Sequence, residues 1–194
     1  MDKPALRRLY KQKRLALGLA EKAALEEQML LRFQQYTWPA PKELFTYLPS
    51  EKFREPDTIP FIRHIRYFSE MYSGTKCRLS APVMDASGET MQAVRFDEGS
   101  IFNINSFGVP EPPHGEVVPP QQIDMILVPL LVFDRHGNRI GYGKGHYDKF
   151  LQHCRTNTLR VGLSFFEPEP LFEGVPEFDV PLTHCITPEQ TYAF

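Results

Sequence analysis

Residues 123–128 read Ile-Asp-Met-Ile-Leu-Val, and Pro129 ends the run. An almost continuous apolar segment of this kind reads as a strand covered on both faces, the pattern of a parallel sheet lying between helices. The carboxyl end of such a strand opens onto a ligand crevice. Beyond it the chain becomes rich in glycine and charge: Gly141, Gly143 and Gly145 surround Lys144, and His146, Tyr147 and Asp148 lead into an expected helix. Glycines let the backbone come close to a ligand and take positive φ, so that successive N–H groups converge on phosphate oxygens. The active site is expected here. Two familiar phosphate motifs do not fit. A Walker A loop needs glycine where Asn138 stands and Ser or Thr where Gly145 stands, and the dinucleotide fingerprint needs G-x-G-x-x-G where this loop has G-x-G-x-G.

A chain of 194 residues suits one domain, 1–194, with a single large core. With 42% hydrophobic and 24% charged residues and a formal net charge of -2, the composition is that of a globular protein without general attraction to nucleic acid or acidic membranes. A phosphate site must therefore be local. Cys77, Cys154 and Cys185 are odd in number and widely spaced, which fits neither a disulfide framework nor a paired-cysteine zinc site. They read as idle thiols in a reducing compartment. No apolar stretch approaches a membrane span, and the N-terminus is charged, so a cytoplasmic protein is expected; a monomer is expected besides.

Along the chain, Asp2 and Pro4 start a helix expected to run through about residue 17. Lys3 and Arg7, four residues apart, share its face, with Arg14 two turns further on. Cations at a helix start oppose the macrodipole unless an anion sits there too; the alternative is a solvated basic face. A second helix is expected over 21–35, a strand over 43–48, a charged loop over 49–56 containing Glu55, and a helix over 57–73 that Asp57 caps and Gly74 closes. Strands are expected over 76–81 and 91–96 around a turn at 85–88, then over 158–163 and 184–187, with the helix after the glycine loop continuing to 154. The proline-rich stretch 107–113 is stiff enough to hold Phe107 against a flat ligand, or folds that ring onto the core. Strands alternating with helices give an α/β fold: a single domain with a mainly parallel sheet flanked by helices on both faces.

Taken whole, R-I-G-Y-G-K-G-H-Y-D at 139–148, preceded by a strand, a proline and F-D-R-H-G-N-R, closely resembles the signature of the 5-formyltetrahydrofolate cyclo-ligase family, also called methenyltetrahydrofolate synthetases. The match runs without a gap over 123–151, and weaker matches reach both ends. K-x-x-L-R at Lys3, Leu6 and Arg7, E-x-D-T at Glu55, F-x-V-P-x-P at Phe107 and V-P-E-F-D ending at Asp179 resemble further family segments. The chain departs from the family pattern at Val83, where arginine usually follows the proline, and in a longer loop before Glu55.

The resemblance implies the same fold and two small-molecule substrates, ATP and a reduced folate. It implies ATP contacts from Lys3 and Arg7 and from the loop residues Arg139, Ile140, Gly141, Tyr142, Gly143, Lys144, Gly145, His146 and Tyr147. Folate contacts are implied for Leu48, Glu55 and Phe107, and for Tyr142, Lys144 and His146. Lys144 is implied as the catalytic group, and Asp148 and Asp179 as ligands of Mg2+. By itself Asp148 also reads as a helix-start surface carboxylate, Tyr147 as core, and His136 as a turn residue. His146 stands where the family commonly has tyrosine. Two other functions stay open: a folate-binding module without catalysis, and an ATP-dependent cyclase or kinase with a different acceptor.

Overall fold

The computed structural model describes residues 2–85, 87–97, 99–105, 108–112 and 115–194. Phe107 lies outside the described residues. Asp2 accepts the Ala5 amide at 2.8 Å and Pro4 occupies the first turn, so α1 starts cleanly and spans Lys3–Ala16. Leu6, Tyr10 and Arg14, spaced by one turn, form its buried stripe. Helix α2 (Leu19–Gln35) buries Met29 and Phe33, and Trp38 folds back so that its indole N–H donates to the Phe33 carbonyl at 2.8 Å. Strand β1 (Glu43–Thr46) leads through a loop with one 3-10 turn at Glu51–Phe53 into α3 (Ile59–Ser73), which Gly74 closes at φ 66°. Thr58, not Asp57, is the residue before α3; Asp57 still accepts the Ile59 amide at 3.0 Å.

Strands β2 (Arg78–Met84) and β3 (Met91–Phe96) form an antiparallel hairpin. Three two-residue strands follow: β4 (Asn103–Ile104), β5 (Pro110–Glu111) and β6 (Val117–Val118). The apolar run gives β7 (Met125–Val128), entirely buried. It begins later than Ile123 because the Asp124 carboxylate accepts the Lys42 and Glu43 amides and so closes off the strand's entry. After Pro129 come the hairpin strands β8 (Val132–Phe133) and β9 (Arg139–Ile140), then α4 (His146–Leu151), which ends earlier than residue 154 in a series of turns. Strands β10 (Leu159–Leu163), β11 (His184–Ile186) and β12 (Thr191–Ala193) complete the chain.

Among the described residues, eight strands form one sheet in the order β12-β11-β10-β7-β1-β2-β3-β6. The five central strands, β11 through β2, are parallel, and antiparallel partners flank them on both edges. Alternate residues of the central strands face two cores. Leu44, Met125 and Leu127 pack with α2 and α3, whereas Phe45, Ile126 and Val128 pack with Phe150 and Leu151 of α4. Helices therefore cover both faces, as the double burial of β7 requires. A third cluster joins Leu6 and Tyr10 of α1 to Leu131, Val132 and Ile140 of the β8–β9 hairpin.

Strand order fixes where a ligand can sit. From β1 the chain crosses over α3 to β2 on one side, and from β7 it crosses through α4 to β10 on the other. The two connections leave adjacent strands and cover opposite faces, so the sheet's switch point lies between β1 and β7. Crevices form at the carboxyl ends of such strands. The loops that line this one are residues 47–58 and 129–145.

Candidate active site

The loop after β7 has a fixed base. Asp134 has no exposed surface, and its carboxylate accepts the His136 and Asn138 amides at 2.9 and 3.0 Å, the Asn138 side-chain amide at 2.9 Å and the Phe172 amide at 3.0 Å. Four donors saturate a carboxylate, so Asp134 is the hub of the turn. Gly137 takes φ 78° there, and a Cβ would lie 2.8 Å from the Phe194 ring, which leaves room for glycine alone. His136 contributes its backbone to this turn.

The tip of the same loop is open. Gly143 and Gly145 take φ 93° and 71°, whereas the Gly141 carbonyl accepts Arg7 Nε at 3.2 Å. A Cβ on Gly143 would stand 3.2 Å from the Arg7 guanidinium, so α1 lays this cation directly along the glycine backbone. Lys144 is exposed and makes no hydrogen bond or ion pair among the described residues.

Where the loop enters α4, Arg139 donates to Asp148 at 2.8 Å and to the Val180 carbonyl, while the Val180 amide reaches the same Asp148 oxygen at 3.2 Å. Burial pulls the Arg139 guanidinium below its ordinary pKa, and the Asp148 and Asp179 carboxylates offset part of that shift. The neighbouring Asp179 is paired with Lys3 at 3.1 Å. Two expected cations and two expected carboxylates thus meet as two ion pairs. Asp148 Oδ2 and Asp179 Oδ1 keep their lone pairs among the described residues. That donor set fits Mg2+, a hard ion that takes one or two carboxylates and fills its other positions with waters and substrate phosphates. It is not a closed cage: no group of three or more His, Cys, Asp or Glu side chains able to hold a metal occurs among the described residues.

Across the switch point, Glu55 is 7% exposed. Its Oε1 accepts the Tyr142 hydroxyl at 2.7 Å and its Oε2 accepts the Ser50 amide at 2.9 Å. Burial and the adjacent Glu55 charge hold the Tyr142 phenol well above its ordinary value, with Arg14 offsetting part of the rise. Tyr47 and Tyr147 are raised in the same way, by burial first and Glu55 second. All three phenols remain protonated at neutral pH. Tyr142 also packs on Phe53 at 5.2 Å between ring centres, so it belongs to both loops.

Several of the expected contact residues have their side chains packed or bonded within the protein. Leu48 is in the core with α2 and α3, and Ile140 lies under α1. The Tyr147 ring packs against Phe45. His146 Nε2 lies 3.1 Å from the Gly88 carbonyl, and Lys149 donates to the Glu89 carbonyl at 3.2 Å, so the tip of the β2–β3 hairpin rests on the start of α4. Cys77 and Cys185 are buried, and burial pushes the Cys77 thiol up to about 12. Arg14, expected as a further cation along the helix face, is instead buried. A cation at an apolar-stripe position, in step with Leu6 and Tyr10, was the available signal.

Fold and site together define a doubly wound α/β protein with a glycine-lysine loop at its switch point. The chain belongs to the 5-formyltetrahydrofolate cyclo-ligase family, whose model matches residues 1–188. A 5-formyltetrahydrofolate cyclo-ligase of Mycoplasma pneumoniae is 27% identical over 97% of this chain and 100% of its own length. The Escherichia coli K12 cyclo-ligase is 35% identical over 40% of this chain and 43% of its own. The solution structure of the Aquifex aeolicus 5,10-methenyltetrahydrofolate synthetase superimposes with a TM-score of 0.73 at 25% identity, over 100% of this chain and 93% of that one. A Mycoplasma pneumoniae 5,10-methenyltetrahydrofolate synthetase shares the fold with a TM-score of 0.74.

Proposed function

We propose that this protein converts 5-formyltetrahydrofolate and ATP into 5,10-methenyltetrahydrofolate, ADP and phosphate, acting as a cytoplasmic monomer. Family membership supports the folate conversion. One observation carries the ATP-dependent route: the glycine-lysine loop and the Glu55 loop meet at Tyr142 across the switch point, bringing a phosphate-type turn beside the buried Glu55 carboxyl group.

The chemistry explains why both halves are needed. An N-formyl group is an amide, and its oxygen is a poor leaving group. In the proposed route that oxygen attacks the γ-phosphorus, the bond to the bridging oxygen breaks, and ADP departs. N10 then attacks the activated formyl carbon, the carbon–oxygen bond breaks, phosphate leaves with that oxygen, and the N10 proton is released. Phosphoryl transfer needs alignment and charge neutralisation more than covalent help. Lys144 and the glycine-loop amides are suited to the transferring oxygens, and Lys3 and Arg7 to the phosphate chain. Mg2+ held by Asp148 and Asp179 would supply neutralisation of the phosphate oxygens. Arg139, committed to Asp148, would set that carboxylate's orientation from beside the nucleotide. Glu55 would accept from the N–H groups of the pterin, with Phe107 assigned to the same side of the pocket.

Methenyltetrahydrofolate is a conjugated cation that absorbs in the near ultraviolet, so its formation can be followed while ADP is counted. The expected result is product only with ATP and Mg2+ together, one ADP per methenyl group. Folate binding without absorbance change would identify a binding module instead. ADP release only with another acceptor would identify a kinase.

A further inference from the structure

Arg14 lies on α1, 2% exposed, with no carboxylate as a direct partner among the described residues. A buried guanidinium is costly unless its charge is answered nearby. Its NH1 donates to the Leu130 carbonyl at 3.1 Å, its NH2 donates to the Tyr142 hydroxyl, and its carbon stands 5.6 Å from the centre of the Tyr142 ring. The answering charge is Glu55, one phenol away. Burial of Glu55 calls for a cation in return, and Arg14 is the guanidinium this chain of bonds reaches.

Hydrogen-bond direction along this chain is fixed. Arginine can only donate, so the Tyr142 oxygen accepts from Arg14 and its single proton must go to Glu55 Oε1. The Ser50 N–H points at Oε2. Both Glu55 oxygens therefore accept, which fixes the plane in which the carboxyl group lies and its remaining lone pairs point. A carboxylate held this way presents two acceptors to a pair of ligand N–H donors.

We infer that Arg14 is a positioning residue for the folate half of the site, acting through the Tyr142 hydroxyl to aim the Glu55 carboxylate. The inference rests on the proposed reading of Glu55 as the pterin contact. It predicts a specific kinetic signature, because Arg14 reaches Glu55 through the Tyr142 hydroxyl.

The test uses the full chain in the methenyl-formation assay, titrating 5-formyltetrahydrofolate and ATP separately, with melting curves as a control for folding. Arg14→Met is expected to raise the KM for the folate about tenfold or more, the scale of losing a hydrogen bond to a charged group, and to move the KM for ATP less than about twofold. Arg14→Lys, which can still reach one of the two acceptors, should recover part of that loss. Tyr142→Phe cuts the chain in its middle and leaves the Leu130 contact; on that background Arg14→Met should add much less than it does alone. Additive effects, or equal changes in both KM values, would reduce Arg14 to a structural role and overturn the inference while the assigned reaction stood. If Arg14→Met does not fold, an unchanged folate KM in Tyr142→Phe overturns it equally. A wild-type protein that forms no methenyl product removes the reaction and the inference with it.

Discussion

The two ends of the sheet use the same kinds of charged residue to different effect. At the amino end, Glu43 on β1 is buried: its Oε2 accepts Arg78 at 2.8 Å and Arg95 at 3.0 Å, and its Oε1, though without a hydrogen bond among the described residues, is buried as well, so the difference from the other end is one of access. Next to it, Asp124 accepts two backbone amides and Arg155. These carboxylates hold neighbouring strands in place. At the carboxyl end, Lys3–Asp179 and Arg139–Asp148 are single pairs with one carboxylate oxygen left over in each, and Lys144 is unpaired among the described residues. An ion pair that a ligand must enter cannot be sealed. The amino end is built to stay closed, and the carboxyl end to exchange partners.

The largest test of that contrast is Lys144→Ala. A cation with no structural partner should be removable without loss of melting temperature, yet turnover should fall about a hundredfold or more, the scale of one lost transition-state contact. A folded variant with the wild-type rate would take Lys144 out of the mechanism. Glu43→Gln should do the reverse. Stripping the charge from a buried carboxylate that serves two arginines should cost about 2–3 kcal/mol in urea unfolding, with the folate and ATP kinetics unmoved. A loss of activity at unchanged stability would show that the two ends are not divided in this way.

Smaller shifts are expected for Lys3→Ala and Arg7→Ala. Both should raise the KM for ATP about tenfold with kcat nearly unchanged, because the phosphates they would hold are charged before and after transfer. ATP titrations that overlay wild type would mark the face of α1 as merely solvated. Smallest of all is the stability change for Lys3→Ala without nucleotide. The pair is about one-fifth exposed on each side, so breaking it should cost less than about 1 kcal/mol. A larger loss in the same unfolding curves would make Lys3–Asp179 a structural pair like those at the amino end.

What could be read from the sequence followed from local pattern. Strand β3 falls on residues 91–96 as expected, and β7 and the glycine loop stand out because apolar run, proline and glycines are contiguous. Two-residue strands such as β4, β5 and β6 carry no periodicity; they exist because a partner's backbone lies alongside. β12 is likewise defined by pairing with β11 and went unanticipated. Residue types gave the glycine loop's chemistry, whereas the pairing of Lys3 with Asp179 and of Arg14 with Tyr142 depends on how α1 crosses the loop. In the sequence Arg14 reads as one more helix cation, because its burial is a property of that crossing.

The bonds that assemble the site close long stretches of chain. Tyr142 and Glu55 are 87 residues apart, Arg14 and Leu130 are 116, and Lys3 and Asp179 are 176. Contacts of such separation form only after much loop-closure entropy has been lost, and they slow folding. Helices such as α2 and α3 need no distant residue to begin. During refolding from denaturant, helical signal should therefore return ahead of activity, and a nascent chain could not complete this site until residue 179 had been made.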